Sequence, residues 1–167
     1  MFKKKSKKIY CFRVPVAARW MGIVGVIGLL SACRTIPLPP VDLAEPGWKV
    51  REGQAVWRSH TGAPDIAGEL ILATRGAQTN VVQFIKTPLP LIVAQTAGPS
   101  WQVHIIPNDK TYSGRGHPPR QLMWLYLPSC LAGKAPPDPW HWTTTVDGNW
   151  SLTNWYSGES LEGYLGQ

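Results

Sequence analysis

Beyond residue 47 the chain alternates apolar and polar positions over short runs that are separated by Gly, Pro, Asn and Asp. That two-residue period belongs to half-buried β-strands. The pattern predicts strands over residues 48–59, 66–74, 80–86, 89–96, 101–105, 110–114, 140–146, 150–156 and 160–165. The clearest alternation is Trp101-Gln102-Val103-His104-Ile105. Asp147-Gly148 is a strong hairpin signal between two of the later runs. The texture breaks once, over residues 120–131, where Leu122, Trp124, Leu125, Leu127 and Leu131 suit a short helix opened by Pro118-Pro119 and interrupted at Pro128. The fold expectation is all-β, an antiparallel curved sheet or open half-barrel of about nine short strands with one helical insertion.

The first 46 residues follow other rules. Lys3, Lys4, Lys5, Lys7, Lys8, Arg13 and Arg19 precede an apolar run of eleven residues, 20–30, and no acidic residue lies among them. The run is too short to span a bilayer, which takes about 20 residues. A basic start, a short apolar centre and small residues before a cleavage point describe a secretory signal. Leu30-Ser31-Ala32-Cys33 matches the lipobox of bacterial lipoproteins. Residues 1–32 then form a lipoprotein signal peptide, and the mature chain begins at Cys33, acylated on sulfur and held by membrane lipid. A short uncleaved anchor is the alternative. Residues 33–46, with Pro37, Pro39, Pro40 and Pro46, read as an extended tether that reaches up to roughly 40 Å at about 3.1 Å per residue. Residues 47–167 form the domain. Arg34 after the cysteine favours the periplasmic side of an outer membrane over inner-membrane retention.

Removing the signal changes the charge. The full chain has 17 basic and 10 acidic residues, and seven of the basic ones leave with residues 1–32. Ten of each sign remain, so the mature chain is neutral. Nucleic-acid binding, which needs clustered positive charge, loses its support. Cys11 leaves as well, and Cys33 is acylated. Cys130, set among apolar neighbours, is then the one thiol left and reads as a small buried hydrophobe.

Catalytic patterns are missing. His60, His104, His117 and His141 stand in no metal-ligand spacing, and no Gly-x-Ser-x-Gly or P-loop pattern occurs. Glu159 and Glu162 suit the solvent side of an edge strand better than an acid pair. The expectation is a non-catalytic protein without metal or cofactor. A lipid-anchored hydrolase would have to work through His117 and Glu159. The mature chain also carries eight tryptophans: Trp48, Trp57, Trp101, Trp124, Trp140, Trp142, Trp150 and Trp155. They serve either as core filling or as the lining of a cavity or lipid interface.

Several short motifs carry a resemblance. Thr87-Pro88-Leu89-Pro90 leads into Leu91-Ile92-Val93-Ala94-Gln95. Leu131-Ala132-Gly133-Lys134-Ala135-Pro136 precedes Trp140, and Asp147-Gly148 precedes a strand. From Gly47-Trp48 to its end, discontinuously, the chain resembles the LolA/LolB lipoprotein-carrier superfamily, nearest the outer-membrane lipoprotein receptors of the LolB type. It is shorter than those receptors, and Pro90 stands where they have glycine. The resemblance implies an open β-barrel that holds the acyl chains of lipoproteins, or another lipid, and receives them from a periplasmic carrier. It makes Leu89 a membrane-contacting loop residue. Val82, Phe84, Val93, Trp101, Val103 and Ile105 become cavity walls, with Trp124 and Leu125 as a lid. The rival expectation is a structural or assembly lipoprotein that binds another envelope protein.

Overall fold

The computed structural model describes residues 37–166. The signal expected over residues 1–32 and the acylated Cys33 lie outside the described residues. Nine strands form one antiparallel sheet: β1 (Lys49–Arg58), β2 (Ile66–Arg75), β3 (Thr79–Lys86), β4 (Leu89–Ala97), β5 (Ser100–Ile105), β6 (Lys110–Arg115), β7 (Trp140–Thr144), β8 (Trp150–Asn154) and β9 (Ser160–Leu165). Their order across the sheet is β6-β5-β4-β3-β2-β1-β9-β8-β7. The first strand therefore sits inside, paired to β2 and to the last strand. The outermost strands, β6 and β7, leave the sheet open. All-β with an open, curved sheet and almost no helix is the architecture that the alternation predicts.

Period-two alternation gives the sheet two different faces. Register places Ala55 and Trp57 of β1 in line with Gly68 and Ile66 of β2. Leu70 and Leu72 pair with Phe84 and Val82 of β3. Phe84 and Val82 face Ile92 and Ala94, which face Ile105 and Val103 of β5. Across the other wing, Trp57 lines up with Leu161, and Leu161 with Leu152. These residues form the inner face and the core.

Glycines let the sheet curl around that face. A methyl group on Gly53 would overlap the backbone of Tyr164 and Leu165, and one on Gly163 would overlap the backbone of Gln54 and Ala55. The β1–β9 pair is creased inward where both strands lack a Cβ.

The chain between β6 and β7 covers the inner face. It contains a 3-10 turn, Met123–Leu125, and a five-residue helix, α1 (Leu127–Leu131), with Pro128 in its first turn. The irregular helix or pair of helical turns expected over residues 120–131 is thus two short pieces. Pro128 cannot donate a hydrogen bond back into the preceding turn, which accounts for the break.

Residues 37–46 differ from the expected free tether. Leu38 N–H donates to Gln102 Oε1 at 2.8 Å, and Gln95 Nε2 reaches Pro39 O at 3.4 Å. Farther along, Arg75 binds Glu45 at 2.9 Å and lies 4.6 Å over the Trp48 ring. This stretch is a strap across the outer face. Ala73, Val81 and Gln95 point to that face and are nevertheless buried. Strap, sheet and core all lie within residues 37–166, which form one compact unit.

Candidate functional site

The inner face is apolar from wing to wing, and the insertion lies on it. Met123, Trp124, Leu125, Leu127 and Cys130 are buried in the same cluster as Leu70, Phe84, Ile92 and Val103. Trp57 and Trp124 meet edge to face at 5.7 Å, and Phe84 lies tilted against Trp124 at 5.5 Å. Aromatic pairs in such arrangements add roughly 0.5–1.5 kcal/mol beyond the area they bury.

Of the expected wall residues, Val82, Phe84, Trp101 and Val103 are buried on this face, with Trp124 and Leu125 over them. Ile105 shares the face but is half-buried, since it stands at the end of its strand. Val93 does not belong to the wall. It pairs with Gln83 and His104, which places it on the outer face between the inward Ile92 and Ala94. The sequence signal that separates Val93 from its neighbours is cross-strand register, which alternation along one strand does not supply. Register also brings in residues that the sequence reading did not select: Leu70, Leu72, Ile92, Leu152 and Leu161.

The wall residues and the insertion pack on one another. Depressions of the surface lie elsewhere. One of about 430 Å³ on the outer face is lined by Val56, Ala67, Glu69, Ile85 and Tyr164 among others.

The insertion is bonded mostly to itself. Leu122 N–H donates to Pro119 O, Tyr126 N–H to Met123 O, Cys130 N–H to Tyr126 O and Gly133 N–H to Cys130 O. The Tyr126 hydroxyl donates to Pro118 O at 2.6 Å. Among the described residues, one hydrogen bond ties it to the sheet, from the Trp140 indole N–H to Arg120 O. Apolar contact holds the rest. Burial pushes the Cys130 thiol up to about 11, so it stays protonated and inert near neutral pH.

Two inner-face indoles, Trp101 and Trp150, have buried N–H groups without an acceptor. A buried donor left unpaired costs about 1–3 kcal/mol. Trp101 stands on β5 and Trp150 on β8, in the two wings of the sheet.

Leu89 begins β4, across from Lys86 in a hairpin whose turn is Thr87-Pro88. The Thr87 hydroxyl donates to Glu69 Oε1 at 2.8 Å and braces the turn. Leu89 is 66% exposed, an apolar tip held between two prolines.

The polar candidates make separate contacts. Glu159 accepts a hydrogen bond from the Trp57 indole, and His117 is exposed on the loop after β6. His104 lies 3.2 Å from Asp109 at the surface. Among the described residues, no group of three or more His, Cys, Asp or Glu is placed to hold a metal ion. No protein-family model and no curated protein matches the chain.

Proposed function

We propose that this protein is a lipid-anchored envelope lipoprotein of the LolB-like kind, held by acylated Cys33 at the periplasmic side of an outer membrane, and that its half-barrel receives acyl chains of lipoproteins or another lipid. The observation that carries the reading is the insertion at 118–134. It covers a continuous apolar face, yet one side-chain hydrogen bond joins it to the strands. Lifting it exposes Phe84, Val82, Val103 and Trp124, surface that an acyl chain covers at about 0.8 kcal/mol per methylene. The ester and amide carbonyls of an acylated cysteine also supply the acceptors that Trp101 and Trp150 lack.

The test uses residues 37–166 with a fluorescent fatty acid, native mass spectrometry and hydrogen exchange. The expected result is one bound chain and faster exchange at the amides of residues 122–134, with the strand ladders unchanged. Absence of binding, together with insertion amides as protected as those of β3 and β4, would sink the reading.

The packed interior favours a second reading, a non-catalytic assembly lipoprotein that binds an envelope protein through its surface. That reading expects no acyl binding and a partner recovered by cross-linking from the outer membrane.

A further inference from the structure

The loops β1–β2, β3–β4, β5–β6 and β8–β9 all lie at one end of the sheet, the end at which β1 finishes. Leu89 is there. So is a second apolar feature, Trp155 and Tyr156 in the β8–β9 loop, 75% and 81% exposed with their rings 5.4 Å apart. The loop is built to hold them outward. Buried Asn154 accepts from the Tyr156 and Ser157 backbone N–H groups at 3.0 and 3.3 Å through its side chain. Its carbonyl accepts from Gly158 N–H at 2.8 Å, and Thr61 N–H donates to Ser157 O at 2.9 Å. Gly158 takes φ +70°, which closes the turn. A rigid, internally satisfied loop thus presents two large rings to solvent.

We infer that Trp155 and Tyr156 seat this end of the domain, beside Leu89, on the surface of the bilayer. The inference rests on the reading above in one respect, anchorage through Cys33.

Chain length makes the bilayer the occupant. The strap fixes Leu38 on Gln102 in mid-strand, two residues from the start of β5 and three from its end, so within about 10 Å of either end at ~3.4 Å per residue. From Pro37 back to Cys33 the chain reaches roughly 14 Å at most, at about 3.6 Å per residue. An acyl anchor at Cys33 therefore keeps the domain against the membrane that holds it, and the exposed rings mark the end that meets it.

The chemistry agrees. Indole and phenol rings, apolar with one polar atom, favour the headgroup level of a bilayer. Lys86 beside Leu89 and Lys110 at the start of β6 have no ion-pair partner among the described residues. At the same end Asp65 is bound to Arg58 at 2.7 Å, and Glu159 faces the Trp57 indole. Glu69, bonded to Thr87 in the β3–β4 turn, Asp109 and Asp138 are also acidic groups at this end, so it is not net basic. The two lysines reach lipid phosphates, while the rings supply the apolar contact.

The test is co-sedimentation of residues 37–166 with vesicles of phosphatidylethanolamine and phosphatidylglycerol. The wild-type domain is expected to partition onto them. Trp155→Ala combined with Tyr156→Ala is expected to lose about tenfold in partitioning with its thermal midpoint unchanged, because the rings are exposed. Val146→Asp, on the β7–β8 turn at the opposite end, is expected to bind as wild type. A wild-type domain that stays in the supernatant overturns the inference. So does a double variant that binds normally, or an equal loss from Val146→Asp. Fatty-acid uptake measured without vesicles tests the carrier reading separately, so either can fail while the other stands.

Discussion

The Trp57 indole N–H donates to Glu159 Oε1 across 3.3 Å, at the point where the β8–β9 loop meets the edge of the core. The carboxyl is half-buried beside an indole that packs on Phe84 and Trp124. Burial pushes Glu159 up from its ordinary 4.5 to about 7, and the Trp57 hydrogen bond offsets part of that rise.

The sign of the pH dependence follows. Between pH 4.5 and 7 the folded protein keeps a proton that the unfolded chain has released, so stability falls as pH rises through this window. Below it the group costs nothing, and above it the full cost persists. Glu159→Gln keeps an acceptor for Trp57 and removes the charge. With allowance for solvent screening, it should raise stability by about 1–2 kcal/mol at pH 8 and change little below pH 4.5. Urea unfolding at the two pH values checks this, and equal effects at both would refute it.

The crease at β1–β9 makes a sharper prediction. Gly53→Ala places a methyl group into the Tyr164 carbonyl and the Leu165 backbone, neither of which can move without parting the two strands. The expected loss is more than about 3 kcal/mol. Gly148→Ala, at φ +81° on an open turn with nothing near its Cβ, should cost only about 1 kcal/mol. Thermal unfolding of the two variants side by side measures the difference.

The strands were legible in the sequence because each apolar run is short, alternating and closed by a turn residue. The run at 101–105 became β5 with one residue added, and 160–165 became β9 without change. The run at 150–156 extends two residues past the end of β8. Trp155 and Tyr156 carry strand propensity, but the Asn154 side chain takes the backbone N–H groups that a continuing ladder would use. Which face Val93 occupies depends on pairing with Gln83 and His104, information that lies in other strands. The strap is not legible in the sequence for a related reason: proline-rich composition predicts extension, while its docking depends on Gln95 and Gln102, far along the chain. The core half of the candidate site was thus largely readable, and the surface half was not.

Cys130 reports on the insertion. Its thiol is buried in α1 and pushed up to about 11, so at pH 8 only about one molecule in a thousand carries the thiolate. In residues 37–166 it is the only cysteine. Alkylation should be negligible in the closed domain and stoichiometric after unfolding. If acyl chains displace the insertion, saturating fatty acid should speed alkylation at least about tenfold. A slower rate with ligand bound would mean that the chain binds elsewhere and tightens the core.

Leu89 separates stability from function. With 66% of its surface exposed on a braced hairpin, Leu89→Asp should shift folding stability by no more than about 0.5 kcal/mol. Burying a leucine in an apolar phase is worth about 1.5–3 kcal/mol, so a carboxylate there should oppose entry into a bilayer. The expected outcome is normal uptake of a fluorescent fatty acid and release to phosphatidylethanolamine–phosphatidylglycerol vesicles slowed at least about tenfold. Equal release rates for Leu89→Asp and wild type would remove Leu89 from the transfer step and leave the Trp155–Tyr156 loop as the contact to examine. A fall in uptake as well as release would place Leu89 on the entry path to the core.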